Sequence, residues 1–255
     1  MSKFDALDLV NVSTKAVLLA QVGKHLDAGT GFSIATLNLD HIVKLRHNAD
    51  FNAAYRAQTH VVADGNPIVW LSHLAGRRAV RLAPGSELIE PLVSLAAGRK
   101  VAVAFLGSTE PVLRRAAGHL VAAHPGLTVP ACLSPAFSFD PQSNEADGLL
   151  DAVAASGARV CFLALGAPKQ EILAARGLLR HPHLGFVSIG AGLDFIAGHQ
   201  TRAPVWVRKI AMEWLWRLLT NPRRLARRYL DCLAILPRLT YSALVSRWRN
   251  GETRP

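Results

Sequence analysis

Several apolar runs in this sequence end in residues that can do chemistry. Thr36 and Asn38 close the run that begins at Phe32, and Asp64 and Gly65 follow the run VVA at 61–63. A carboxylate such as Asp64 can accept a proton from a hydroxyl group, and hydroxyl or amide side chains can hydrogen-bond a polar ligand. The further candidates at run ends are Gly107, Ser108, Thr109, Gly166, Lys169, Gln170, Gly190 and Asp194. Their recurrence predicts a ligand site, although Asp64 and Asn38 are also common turn residues.

The stretch VCFLALGAPKQE at 160–171 predicts a buried strand that leads directly into a helix. Its first six residues are apolar, as in a strand covered on both faces. Gly166 ends the run, Pro168 suits the first position of a helix, and Lys169 adds a cation. A helix N-terminus offers backbone N–H groups to an anion, so the expected ligand is a nucleotide diphosphate. The alternative is an ordinary strand-to-helix loop.

Strands and helices alternate over residues 1–199, which predicts an α/β fold with a doubly wound, mostly parallel, Rossmann-like sheet. The expected strands are 32–37, 59–63, 100–106, 127–132, 160–165 and 184–189. The expected helices are 40–55 capped by Asp40, 67–75, 86–97 capped by Ser86, 111–123, 145–155 and one that begins at Pro168. Ligands bind at the carboxyl ends of the strands in such sheets, which is where the candidate residues lie.

Positive charge is concentrated after residue 199. The chain has a net charge of +11, and residues 200–255 carry 12 Lys and Arg against three acidic residues, a balance of +9. We expect a catalytic domain at 1–199 and a basic amphipathic helical appendage at 200–255, with helices broken at Pro222 and Pro237. Four of the five tryptophans occur from position 206 onward, and Trp with Arg suits an anionic membrane surface. The alternative is that the apolar stripe of the appendage packs on the domain.

Composition disfavours several classes of protein. The first residues, MSKFDALD, lack an apolar signal region, and no run of about 18 uncharged apolar residues predicts a membrane span. Cys132, Cys161 and Cys232 lack the paired spacing of zinc sites or disulfides, so we expect reduced core thiols in a cytoplasmic protein. A Rossmann-type oxidoreductase is disfavoured because no G-x-G-x-x-G follows the first strand. A nucleic-acid-binding protein is disfavoured because the basic tail is too apolar.

Seven motifs resemble, in order and spacing, the WecG/TagA/CpsF glycosyltransferases (glycosyltransferase family 26). They are TLN at 36–38, VVADG at 61–65, FLG at 105–107, LGAPKQE at 165–171, IGAGLDFIAG at 189–198, RAPVWV at 202–207 and EWLWRLLTNPRRLARRY at 213–229. The resemblance covers roughly residues 30–230 and is specific, because several long motifs agree in sequence order.

The resemblance implies inverting transfer of a sugar from a UDP-sugar to a polyprenyl-diphosphate-linked sugar, at the cytoplasmic face of the bacterial plasma membrane. Products of the family feed exopolysaccharide, teichoic acid and common antigen. No cofactor, bound metal or nucleic acid is implied, whereas a membrane contact through the C-terminal tail and self-association are. UDP-glucose, UDP-N-acetylmannosamine and UDP-N-acetylmannosaminuronate all stay open as donors, as do the acceptor sugar and linkage.

The resemblance also implies roles for individual residues. Asp64 matches the family's proposed catalytic aspartate and is the expected base. Thr36 and Asn38 are expected to hydrogen-bond a sugar, residues 107–109 to meet the nucleotide, and Gln170 to position the donor. Residues 81–87, RLAPGSE, depart from the family's arginine closely followed by Thr-Gly-x-Asp, since one residue is added and Glu replaces Asp. This departure leaves the donor contacts of that loop open.

Two different roles are predicted for the arginines of residues 200–255. Guanidinium groups bind phosphate bidentately and could neutralise the departing diphosphate in place of a metal. The arginines that match the family's active-site cover are Arg217, Arg224 and Arg227. The arginines expected to face lipid headgroups include Arg208, Arg223 and Arg228.

Overall fold

One sheet of parallel strands organises the computed structural model, which describes residues 6–199, 204, 207, 212–220 and 222–252. Its strands are β1 Phe32–Leu37, β2 His60–Ala63, β3 Val103–Gly107, β4 Ala131–Leu133, β5 Val160–Ala164 and β6 Gly185–Ser188. The order across the sheet is β2-β1-β6-β5-β3-β4, and every pairing is parallel. This confirms the predicted doubly wound α/β class.

Both faces of the sheet are covered, because β1, β2, β3, β5 and β6 are buried along their whole length. Phe105 and Phe162 meet edge-to-face at 5.8 Å in the core on one face. Leu106 and Leu163, one residue further along each strand, join a separate core on the other face. Each such burial stabilises the fold by about 1.5–3 kcal/mol, so these apolar runs hold the carboxyl ends of the strands rigidly in place.

Helices alternate with the strands along the chain, and a short 3-10 turn at Ala6–Leu9 precedes the first helix. Those described are α1 Lys15–Ala28, α2 Leu39–Leu45, α3 Ala49–Arg56, α4 Asn66–Leu74, α5 Gly85–Gly98, α6 Glu110–Ala123, α7 Asn144–Ala155, α8 Lys169–Arg180, α9 Gly192–Ile196, α10 Glu213–Thr220 and α11 Pro222–Glu252. The largest differences from the sequence-based boundaries concern α2, α3 and α11.

The single helix expected at 40–55 is wrong, because the chain forms the two helices α2 and α3. Asn38, not Asp40, caps α2, and its side chain accepts a hydrogen bond from the N–H three residues on. Asn48 caps α3 in the same way. Helical periodicity continues across the break because both helices bury apolar residues in the same core. The caps therefore fix boundaries that periodicity could not.

Smaller boundary predictions also need correction. The strands expected from 100 and 127 begin at Val103 and Ala131. Ser86 lies inside α5, which begins at Gly85, so Ser86 is not the cap. Pro168 precedes the first residue of α8 and is its N-cap, not its first helical residue.

The long helix α11 carries the chain through Pro237, so the expected break there is wrong. An interior proline removes one backbone hydrogen bond and crowds the preceding turn. Ile235, Leu239 and Ala243 lie on either side of it, are buried, and join the core that α2 and α4 form with the sheet. Packing on both sides of Pro237 outweighs the local cost. The alternative that the tail packs on the domain is confirmed for this face of α11.

Cys132, Cys161 and Cys232 are free thiols, as expected. Cys161 and Cys232 are buried and Cys132 is half-buried, and burial raises the pKa of Cys232 to about 11. The thiols therefore stay protonated near neutral pH. Of the helices in the described part of the chain, none combines the length and apolarity that crossing a membrane requires.

Candidate active site

Hydrogen bonds link the loops that follow different strands at the carboxyl edge of the sheet. One bond joins the exits of β1 and β2, a second joins those of β3 and β6, and a third joins those of β5 and β6. From β1 the chain continues to β2 at one edge of the sheet, whereas from β3 it continues to β4 at the opposite edge. Doubly wound sheets bind ligands where the strand order reverses in this way.

Asp64 lies directly after β2 and is half-buried. Its backbone N–H donates to the carbonyl of Leu37 at 2.8 Å, which holds the β2 exit against the end of β1. The Nδ2 of Asn38 donates to the Oδ2 of Asp64 at 3.3 Å. Gly65 follows with a φ of 88°, a left-handed conformation that glycine adopts without steric penalty. The structure thus presents an oriented carboxylate at the edge of the sheet.

Thr36 and Asn38 lie at the end of β1, the strand that neighbours β2 and the Asp64 that follows it. Thr36 is buried near the end of β1, opposite Val62 of β2. Asn38 uses its Oδ1 to cap α2 and its Nδ2 to bind Asp64. Asn38 therefore caps a helix and also orients the candidate base, so capping is not its only role, and its contact with a sugar stays a prediction.

A tight turn at Gly107 and Ser108 brings the β3 exit to Asp194. Gly107 has a φ of 118°, and a Cβ there would lie 2.4 Å from the carbonyl oxygen of Ala164. Ser108 also has a positive φ, 42°, which is uncommon for a residue with a side chain. Its Oγ donates to the Oδ1 of Asp194 at 3.3 Å, and exposed Thr109 precedes α6. Strained backbone held by its surroundings is typical of functional loops.

Gln170 is buried, and its amide is used within the protein. Its Oε1 accepts from the backbone N–H of Gly190 at 3.0 Å, and its Nε2 donates to the Oε1 of Glu171 at 2.8 Å. Gly190 has a φ of 56°. Gln170 therefore ties the loop after β6 to the start of α8. In this arrangement it positions the loop rather than presenting a free amide to a donor.

The start of α8 uses, within the protein, one of the N–H groups expected to meet an anion there. Gly166 ends β5 with a φ of 73°, as its type predicts, and half-buried Lys169 begins the helix. The N–H of Gln170, however, donates to the carbonyl of Gly166 at 3.2 Å. This N–H group is therefore not available to a ligand, and binding of an anion at this helix start stays a prediction.

Buried polar residues beneath the edge were missed by the sequence analysis. His41 is buried in α2, and its Nδ1 lies 3.1 Å from the hydroxyl of buried Tyr55 in α3. Glu171 is fully buried, and burial raises its pKa to about 7, although the hydrogen bond from Gln170 opposes that shift. The one available signal was histidine three residues after a capping asparagine. Nothing in the sequence showed that α3 would supply its partner.

Comparison with known proteins places this arrangement in a family. The model of the family described as "Glycosyl transferase WecG/TagA/CpsF family" matches residues 5–252. The chain belongs to this family. It is 27% identical over 218 residues to the N-acetylglucosaminyldiphosphoundecaprenol N-acetyl-beta-D-mannosaminyltransferase of Bacillus spizizenii, covering 86% of this chain and 82% of that relative. The predicted family and the predicted glycosyltransferase activity are both confirmed.

In this WecG/TagA/CpsF glycosyltransferase, the tail arginines proposed to cover the active site lie on α10 and α11. The backbones of Arg217 and Arg224 are within these helices, but their side chains lie outside the described part of the structure. Arg227 is exposed on α11. Trp214 of α10 packs against Tyr229 of α11 at 5.9 Å, which joins the two helices.

Arg228, expected at lipid headgroups, forms an ion pair with the body of the glycosyltransferase. Its Nε lies 3.2 Å from the Oδ1 of Asp40, whose Oδ2 lies 2.8 Å from the Nζ of Lys44. Lys44 also donates to the carbonyl of Ala167 at 3.2 Å, just before α8. These contacts dock α11 against α2, and Lys44 in turn links α2 to the loop between β5 and α8. The Arg228 side chain is still 41% exposed, and its contact with lipid headgroups stays a prediction.

The altered loop of this family member contributes to a separate groove. Arg81 is exposed and donates to the backbone carbonyls of Arg78 and Val80. Glu87 lies in the first turn of α5, 3.7 Å from the Nζ of Lys15. A groove of about 620 Å3 between α4 and the far end of α11 is lined by Trp70, His73, Leu74, Arg78, Arg81 and Arg247. Its lining is basic and aromatic.

Within the described residues, no three His, Cys, Asp or Glu side chains come together as a possible metal site. The carboxylates at the edge instead have hydrogen-bond donors beside them, from Asn38 on Asp64 and from Ser108 on Asp194. What the edge offers a substrate is therefore two oriented carboxylates and the small residues of the surrounding turns.

Proposed function

We propose that this chain transfers a sugar from a UDP-sugar to a polyprenyl-diphosphate-linked sugar, with Asp64 as the general base. The observation that carries the proposal is the half-buried Asp64 carboxylate at the carboxyl edge of the sheet, oriented by Asn38. A base in this position can bind the acceptor hydroxyl while the donor lies across the edge towards Ser108 and Asp194. The family membership supports the same reaction.

The proposed step is a single displacement. The acceptor hydroxyl oxygen forms a bond to the anomeric carbon as the bond from that carbon to the diphosphate oxygen breaks, and the electron pair leaves on UDP. Asp64 takes the hydroxyl proton. Negative charge grows on the diphosphate, which arginines can bind bidentately. We propose Arg217, Arg224 and Arg227 of the appendage for this role, since α11 is docked beside the site through Arg228.

For the donor we propose UDP-N-acetylmannosamine, and for the acceptor a polyprenyl-diphosphate-linked N-acetylglucosamine. The support is the name of the Bacillus spizizenii relative, which specifies an N-acetyl-beta-D-mannosaminyl group and an N-acetylglucosaminyldiphosphoundecaprenol. The altered loop at 81–87 separates this chain from the usual family motif, so the donor is the point to test first.

The test is a transfer assay in detergent with EDTA, using a panel of radiolabelled UDP-sugars and the lipid-linked N-acetylglucosamine acceptor. We expect turnover with UDP-N-acetylmannosamine and at least a roughly hundredfold lower kcat/KM with UDP-glucose. A preference for UDP-glucose or for the uronate would overturn the donor assignment alone. Failure of every donor, with and without divalent metal, would overturn the proposed reaction.

We also propose that residues 200–255 form the predicted appendage and that the outer face of α11 binds an anionic membrane surface. The support is a stripe of exposed apolar side chains on a basic helix: Leu230, Leu233, Tyr241, Leu244 and Trp248. Trp70 is 60% exposed beside Arg247, so the basic groove continues this face. Apolar residues with arginines suit a headgroup layer. Away from membrane, the same face offers a contact for a second copy.

Replacing Leu244 and Trp248 by Ser should weaken binding to vesicles of phosphatidylglycerol and phosphatidylcholine by at least roughly tenfold, because both side chains lose apolar burial in the membrane. Cosedimentation measures the effect. Leu179→Ser is the matched control, since Leu179 is 85% exposed on α8, outside the appendage. Equal binding by the double variant, or an equal loss in the control, would contradict a membrane face on α11.

A further inference from the structure

A chain of hydrogen bonds runs from the candidate base into the core. The Nδ2 of Asn38 lies 3.3 Å from the Oδ2 of Asp64 and 3.4 Å from the Nε2 of His41. The Nδ1 of His41 lies 3.1 Å from the hydroxyl of Tyr55. His41 and Tyr55 are both buried, and neither is at the surface where substrate would lie. The hydrogen bonds connect them to the site through Asn38.

The direction of each hydrogen bond follows from the backbone. The Oδ1 of Asn38 accepts from the backbone N–H of His41 at 3.0 Å, and a backbone N–H can only donate. The other amide atom of Asn38 is then its nitrogen, which can only donate, both to Asp64 and to His41. For the contact with Asn38 to be a hydrogen bond, the Nε2 of His41 accepts, which puts the proton on Nδ1, where the Tyr55 oxygen can accept it.

This arrangement requires a neutral imidazole, and its surroundings provide one. Burial lowers the pKa of His41 to about 3. The charges that face the ring are Asp40 and Lys44 of α2 and Arg228 of α11, and a hydrogen bond to the Thr36 backbone opposes the lowering of the pKa. Phe51 and Tyr55 of α3 pack edge-on against the ring. Packing on one side and the contact of Nδ1 with Tyr55 thus fix the orientation of the ring. This orientation also fixes the position of Nε2 relative to the Asn38 amide.

We propose that His41, held by Tyr55, is a positioning residue that fixes the Asn38 amide and through it the Asp64 carboxylate. The inference deepens the proposed function and rests on it, because it assigns the support of the proposed base. The Asn38 amide donates to this base at 3.3 Å, and because both ends of the amide are anchored by His41, it restricts rotation of the carboxylate. Misplacing a catalytic group by about 1 Å can cost on the order of a hundredfold in rate.

Loss of the hydrogen bonds that His41 and Tyr55 provide should therefore lower the rate of the chemical step rather than weaken donor binding. In His41→Phe the ring shape is kept but Nε2 is lost, and we expect kcat to fall about tenfold with donor KM changed less than about twofold. In Tyr55→Phe only the hydroxyl is lost, and we expect a fall of about threefold. His41→Gln returns an acceptor near the position of Nε2 and should recover most of the wild-type kcat.

The experiment measures kcat and donor KM for these three full-chain variants with the UDP-sugar that the wild type uses, alongside Asp64→Asn and thermal unfolding. The matched control is His60→Phe, because His60 is also buried but begins β2 at the opposite end from Asp64. It should keep the wild-type kcat. Recovery in His41→Gln is the result that a merely structural role of the ring would not give. Should His41→Phe fail to fold, Tyr55→Phe and His41→Gln still decide.

Two kinds of failure are distinguishable. Wild-type kcat in Tyr55→Phe and His41→Phe, with Asp64→Asn inactive, would overturn the positioning role and leave the base in place. A fall in His41→Gln as large as in His41→Phe would overturn it as well. Full activity of Asp64→Asn, or no transfer by the wild type, would instead overturn the proposed function.

Discussion

Asp64→Asn lowers kcat at least roughly a hundredfold, while donor KM stays within about threefold of the wild-type value. The exchange removes the group that accepts the hydroxyl proton but keeps its shape. An oxygen is still present to accept the hydrogen bond that Asn38 donates at 3.3 Å, so the β2 exit should keep its conformation. Steady-state transfer to the lipid-linked acceptor, with thermal unfolding to check the fold, measures the effect.

Asp194→Asn is the informative comparison, because it is the other carboxylate that hydrogen bonds bring to the edge. Ser108 donates to it at 3.3 Å, which places it with the expected nucleotide-binding turn rather than with Asn38. We expect a raised donor KM with a smaller change in kcat. A kcat loss at Asp194 that exceeds the loss at Asp64 would move the base assignment to Asp194.

The sheet was predictable because its strands are apolar on both sides. The run VCFLA at 160–164 has no polar residue to place on a solvent face, so it had to lie between two layers of helices. Parallel strands then bring their exits to one edge, which is why residues as distant in sequence as Asn38 and Asp64 could be assigned to one site before their contact was known. The parallel topology of the sheet is therefore enough to predict which candidate residues lie at the same edge.

Other parts of the site depend on contacts that a sequence pattern does not contain. Periodicity continued through 40–55, because a break between helices that share a core leaves the apolar spacing unchanged. Pro237 predicted a stop, but burial of Ile235 and Leu239 on both sides of it holds α11 together. Arg228 could not be separated from its neighbours by type, since only the docked helix shows that it meets Asp40. Tertiary packing decided each of these cases.

Glu171→Gln should stabilise the protein at pH 8 and leave its stability nearly unchanged at pH 4.5. Glu171 is fully buried, and burial raises its pKa from 4.5 to about 7. Between these two values the folded protein holds a proton that the unfolded chain has released, so stability falls as pH rises. The loss is complete above pH 7, where it is on the order of 3 kcal/mol. A neutral glutamine avoids that loss.

Glutamine is a close substitute for the protonated glutamic acid at position 171. Both keep an oxygen that accepts from Gln170. Both also carry a donor group at the place of Oε2, which has no partner in the described structure. Urea unfolding at pH 4.5 and pH 8 measures the difference. Glu145→Gln, at an exposed position in α7, should change stability equally at both pH values. If Glu171→Gln also behaved equally at both, the carboxyl would be ionised in the folded protein across this range. Lys44, whose charge lowers the pKa of Glu171, would then outweigh burial and hold the start of α8 by charge.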